Sequence, residues 1–280
     1  MADKLVSEAN GGNPVRVQVS PTAPKRGHMK TTLVRFVTGD DLRNDGLLFE
    51  PEKMTKRIVI HVHGTADAFY GQRFIDNFAA EFTKKGWAFL PFNNRGSGMD
   101  FDMRKEVDGK YVREVVIGAN KEIFEDCVID IQSAVDFARG KGYTEIVLMG
   151  HSYGCNKVVH YARETGFAGR LVLFAPCDLA DLGRGGQLFW KFRDINNFDL
   201  FKYRNREIVP ALAKIKGDIL IEMGTNDKHI RQPKPELIEY LTKSFPNARV
   251  TGHVTEGANH CFNGQEDVIA RNVAEWLAQY

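Results

Sequence analysis

Short apolar runs rich in β-branched residues alternate along the chain with longer stretches whose apolar positions return every three or four residues. TTLVRFVT (31–38) and DGLLFEP (45–51) stand close together and predict an antiparallel opening pair. RIVIHVHG (57–64) predicts a third strand, and WAFLPFNNRGSG (87–98) a fourth that runs into a glycine loop. Between them, RFIDNFAAEFTKKG (73–86) sets Phe74, Phe78 and Phe82 four apart on one helical face and stops at Gly86. A polar insertion fills 99–121, and EIFEDCVIDIQSAVDFARGKG (122–142) predicts a long amphipathic helix. EIVLMGHS (145–152), GCNKVVHYARETG (154–166) and GRLVLFAP (169–176) read as strand, helix and strand. After an irregular segment, DILIEMGTND (218–227), KPELIEYLTKSF (234–245), ARVTGHVTEGANH (248–260) and EDVIARNVAEWLAQY (266–280) resume the rhythm as strand, helix, strand and helix. Such alternation predicts an α/β protein with a mostly parallel central sheet and helices on both faces. Residues 31–280 read as one domain with an insertion at about 177–215. Residues 1–30 are polar, carry Gly11, Gly12, Pro14, Pro21 and Pro24, and read as an N-terminal tail or an appended segment.

One strand end carries chemistry. Gly150-His151-Ser152-Tyr153-Gly154 has the form G-x-S-x-G. The pattern alone is weak, but here it ends a predicted strand and begins a predicted helix, as a nucleophile elbow requires. Such a turn forces the serine backbone into strain, and flanking glycines avoid clashes between the strand and the returning helix. The bland alternative is a serine that merely caps the helix. A serine hydroxyl is a weak nucleophile and needs a base, which in turn needs an orienting acid.

Here the chain resembles the α/β-hydrolase superfamily, in its serine-hydrolase, carboxylesterase-like branch, over nearly all of residues 31–280. That resemblance implies the α/β-hydrolase fold with a small lid inserted after the sixth strand. It also implies the chain order serine, acid, histidine. Asp227 follows the strand DILIEMG, and His260 falls in TEGANHCF before the last helix, so the catalytic set is expected to be Ser152, Asp227 and His260. Asp178, after LVLFAP, is an alternative acid position in the superfamily. HVHGTAD (61–67) resembles the family's His-Gly loop, which implies oxyanion donors at the backbone N–H groups of Thr65 and Tyr153. His63 is expected to shape that loop beside the substrate and to transfer no proton. NNRGSG (93–98) resembles the family's turn after the fourth strand, a structural feature in which Arg95 braces loops. In the lid, Phe189, Trp190 and Phe192 are expected to wall the substrate site, or else to pack the lid onto the body. Small carboxylesterases of the feruloyl or cinnamoyl type are similar in their compact lid.

Composition narrows the partners. Formal net charge is +2 over 280 residues, which gives no global attraction to nucleic acid or to an anionic membrane. No apolar run approaches the roughly 20 residues of a membrane span. The four cysteines (Cys127, Cys155, Cys177 and Cys261) show no metal-ligand spacing and fit reduced thiols in the cytoplasm. The expectation is therefore a cytoplasmic serine hydrolase that acts on a small acyl ester without metal or organic cofactor. Its rivals are a thioesterase or acyltransferase with the same triad and a ligand receptor on the same scaffold.

Overall fold

The computed structural model describes residues 29–176, 212–229 and 234–280. The N-terminal tail, nearly all of the expected lid with Phe189, Trp190 and Phe192, and the alternative acid Asp178 lie outside these residues.

Strands β1 (Lys30–Val37) and β2 (Arg43–Glu50) form the expected antiparallel pair, in register from Lys30 opposite Glu50 to Val37 opposite Arg43. β3 (Arg57–Val62), α1 (Phe74–Lys84) and β4 (Ala88–Phe92) follow. A separate hairpin, β5 (Phe101–Val107) and β6 (Lys110–Ile117), precedes α2 (Cys127–Gly140). Then come β7 (Glu145–His151), α3 (Tyr153–Thr165) and β8 (Arg170–Phe174). β9 (Gly217–Gly224), α4 (Lys234–Ser244), β10 (Ala248–Thr255) and α5 (Glu266–Leu277) close the chain. Among the described residues, eight strands make one sheet in the order β1-β2-β4-β3-β7-β8-β9-β10, in which β2 alone runs against its neighbours.

Strand residues alternate between two cores. Ile58, Ile60, Val62, Leu148, Leu171 and Leu173 face α2 and α3. Val59, Val147, Met149, Val172 and Phe174 face α1 and α5. With helices on both faces, the central strands are buried on both sides, so they read as unbroken apolar runs. The α1 stripe of Phe74, Phe78 and Phe82 is buried as its spacing predicts.

Two elements differ from expectation. The polar insertion is the β5–β6 hairpin, which docks only Phe101, Met103, Val115 and Ile117 against Leu42. Its other positions, charged ones included, are mostly exposed, which hides the two-residue period. The helix expected from 122 begins at Cys127, after a tight 3-10 turn at Phe124–Asp126. Glu122 is drawn inward instead, into a buried pair with Lys157. No described helix is long and apolar enough to cross a membrane.

Candidate active site

The sheet places three loops at the carboxyl ends of β7, β9 and β10. β7 ends at His151 and α3 starts at Tyr153, so the chain reverses direction through Ser152 alone. Ser152 pays with a φ of 54° and a ψ of −123°, a conformation that L-residues avoid. A Cβ on Gly150 would stand 2.5 Å from the Gly154 carbonyl carbon, and one on Gly154 would collide with the Val62 carbonyl oxygen. Both glycines are thus steric necessities of the turn. Gly154→Ala is expected to destabilise the fold by roughly 1–3 kcal/mol through overpacking; a thermal melt indistinguishable from the parent chain would contradict this.

The Ser152 hydroxyl makes no capping bond to α3. It points instead at His260, with Oγ 2.8 Å from Nε2. His260 Nδ1 lies 2.8 Å from Asp227 Oδ2. The carboxylate requires an N–H there, so Nε2 is left to accept the serine proton. Asp227 Oδ1 accepts the His229 amide N–H at 2.8 Å. Burial alone would raise the Asp227 carboxyl, but its bond to His260, the charge of that ring and the His229 amide together hold it below the ordinary carboxylate range. The structure therefore brings Ser152, His260 and Asp227 into one hydrogen-bonded line.

Backbone bonds fix the loops that carry this line. Ser152 N–H donates to Phe174 O at 3.1 Å, and Asn226 N–H donates to Ala258 O at 2.9 Å, tying the acid loop to the histidine loop. His151, the motif residue just before the serine, is 3% exposed and stacks on Phe174 at 4.7 Å. Its Nε2–H donates to the His260 carbonyl at 3.0 Å, so the residue before the serine also holds the residue that faces it. Burial first, then the neighbouring His260, push the His151 ring down to about 3, so it is neutral at pH 7. Strain collects at these strand ends: Ala66, Ala175 and Phe262 also have positive φ, at 54°, 47° and 52°.

The 63–67 loop lies against the serine, since a Cβ on Gly64 would be 3.0 Å from the Ser152 Cβ. Tyr153 opens α3, at the positive end of the helix dipole. His63 is fully buried, with Nδ1 bound to Gly64 O at 2.8 Å and Nε2 accepting from Ser97 Oγ at 2.9 Å and Asn94 N at 3.1 Å. Both nitrogens are occupied inside the protein, a setting for bracing the loop and not for touching a ligand. Arg95 braces as well: it pairs with Asp130 at 3.0 Å and with Asp40 at 3.1 Å. His253, inside β10, pairs with the buried Glu222 at 2.8 Å. Cys155 is buried in the core. Among the described residues no cluster of three or more His, Cys, Asp or Glu is arranged to hold a metal ion.

This strand order and these loop positions are those of the α/β-hydrolase fold. Residues 53–182 match the family described as serine aminopeptidase, S33. In structure the chain is similar to Est1E from Butyrivibrio proteoclasticus, with TM-score 0.62 and 17% identity over 88% of this chain and 98% of that one. It is similar to the Pyrococcus furiosus esterase Pf2001, with TM-score 0.63 and 18% identity over 96% and 97%. The Pyrococcus horikoshii acylaminoacyl peptidase matches over 90% of this chain and 41% of its own, with TM-score 0.63 and 15% identity. No curated protein matches by sequence.

Proposed function

We propose that the protein is a serine hydrolase that cleaves a carboxylic ester through an acyl-enzyme intermediate. The observation that carries this reading is the line from Ser152 Oγ through the His260 ring to Asp227, with both steps at 2.8 Å. His260 takes the Ser152 proton as Oγ attacks the acyl carbonyl, and returns it to the leaving alcohol. Asp227 keeps the Nδ1–H tautomer and stabilises the ring's charge. The N–H groups of Thr65 and Tyr153 receive the tetrahedral oxyanion, each worth about 3 kcal/mol in the transition state. Water activated by His260 then releases the acid. The scheme uses no metal or organic cofactor, and Cys127, Cys155 and Cys261, none of them in a disulfide among the described residues, suit a reducing cytoplasm.

The similarity to two esterases favours an ester, and an Est1E structure carries ferulic acid. Hydroxycinnamoyl esters therefore head the substrate panel. The S33 match and the acylaminoacyl peptidase favour a second reading, amide cleavage by the same three residues. A fluorophosphonate probe is expected to add covalently at Ser152, and a panel of hydroxycinnamoyl and nitrophenyl esters, acyl thioesters and aminoacyl anilides then ranks the bond types. A receptor with this triad but no turnover would leave Ser152 unlabelled, and thioester turnover well above ester turnover would reassign the bond.

A further inference from the structure

The geometry points to a positioning device behind the oxyanion loop: the buried Lys157–Glu122 ion pair aims the Thr65 N–H, acting through Asn94 and His63. The inference rests on the reading of Thr65 as an oxyanion donor. Lys157 lies on α3, five residues after Ser152, and both its side chain and that of Glu122 are 0% exposed. Two charges withdrawn from water are costly unless their geometry compensates. Lys157 Nζ stands 2.5 Å from Glu122 Oε1 and donates to Asn94 Oδ1 at 3.0 Å. It also sits 5.4 Å from the centroid of the Tyr153 ring, directly behind the elbow.

The pair supports one loop at close range. A Cβ on Gly96 would be 2.5 Å from Glu122 Oε2 and 2.7 Å from Lys157 Nζ, so the 93–98 turn rests on the two charges. Asn94 Oδ1 accepts the Gly96 N–H at 2.9 Å as well as the ammonium, which fixes the orientation of its amide. The Asn94 backbone N–H donates to His63 Nε2 at 3.1 Å, and His63 Nδ1–H donates to Gly64 O at 2.8 Å. Gly64 O and Thr65 N–H are opposite ends of one planar trans peptide, so holding the first aims the second. A second strap, Ala66 N–H to Gly96 O at 3.2 Å, joins the same two loops. Burial, and next the charge of Lys157, keep His63 neutral, which preserves Nε2 as the acceptor on which the relay depends.

The test uses the full chain carrying Lys157→Met with Glu122→Leu. Apolar replacement of a whole buried pair is often neutral for stability, whereas Lys157→Met alone would strand the carboxylate. The expected result is a folded protein whose kcat on a responsive ester falls about ten- to a hundredfold with KM unchanged, the signature of a misaimed transition-state donor. Fluorophosphonate labelling of Ser152 should slow in parallel. Asn94→Leu should cost a similar factor in the parent chain and little more in the double variant, because both cut the same relay. A folded double variant with kcat within twofold of the parent overturns the inference, as does a rise in KM alone or full additivity with Asn94→Leu. If the double variant does not fold, Asn94→Leu decides alone: a kcat loss at constant KM supports the relay and an unchanged kcat overturns it. Absence of Ser152-dependent turnover and labelling in the parent chain would instead defeat the hydrolase reading itself.

Discussion

Ser152→Ala is expected to cut ester hydrolysis by about 10⁴- to 10⁶-fold, the usual loss when a triad serine is removed. The expectation follows from where the hydroxyl sits. It makes no capping bond, so its defined contact is with the His260 ring at 2.8 Å. Removing Oγ therefore deletes the nucleophile and little else. Alanine keeps a Cβ at the same positive φ of 54°, so the strained turn is neither relieved nor worsened. The melting temperature should stay within a few degrees of the parent, about what a 1 kcal/mol change gives in a domain of this size. Residual rate would come from the oxyanion donors and substrate binding. A folded Ser152→Ala protein that keeps a tenth of the parent rate, measured by initial-rate ester hydrolysis, would remove the serine from the mechanism.

The second large effect is acid instability. His61, His63, His151 and His160 are buried, and burial is the first cause holding each ring below its ordinary value. His63 and His151 fall to about 3 and His160 to about 4. An unfolded chain protonates these rings near pH 6.5 and the folded chain does not. Their contribution is complete above pH 6.5 and is lost progressively as pH falls toward the folded values. Each ring can remove up to about 1.4 kcal/mol per pH unit in that window, so four approach about 5 kcal/mol per unit against a total stability of about 5–15. Glu122 and Asp67, both raised first by burial, act the other way, from the ordinary carboxylate range upward to their raised values, and offset part of the loss. Stability should therefore drop steeply between pH 6 and 4.5, as followed by thermal unfolding. His61 is the ring to change. It packs among Phe74, Phe89 and Phe174, and neither nitrogen finds a hydrogen-bond partner among the described residues. His61→Leu should raise stability by about 1–3 kcal/mol, the cost of an unsatisfied buried polar group, and flatten the acid slope. A parent chain equally stable at pH 7 and 4.5 would contradict the account.

Much of this was legible in the residues. Burial on both faces gives β3, β7 and β8 continuous apolar runs, and the G-x-S-x-G turn sits where such a run becomes helical, which marks Ser152; the loops of Asp227 and His260 follow from the serine–acid–histidine order that the resemblance implies. Other features depend on pairings between distant residues. Lys157 occupies a polar position on a helix whose residues 153–162 are all buried, while a pattern reading places a lysine in water. Nothing near residue 157 announces that Glu122 will meet it. Likewise the β5–β6 strands expose charged residues and the apolar Val107, Tyr111, Val112 and Val116 side by side, because Leu42 and its few neighbours cover only part of one face. The clue available beforehand was NNRGSG: six small or polar residues immediately after a buried strand, which the fold turns inward and must therefore satisfy with internal partners.

The order of the three aligned residues has a temporal consequence. Ser152 leaves the ribosome long before His260, which stands 20 residues from the end of this sequence on a loop held by the β9–β10 pairing. With the proposed roles, a nascent chain carries its nucleophile unarmed over the 108 residues from Ser152 to His260, and gains hydrolytic competence only when β10 docks on β9.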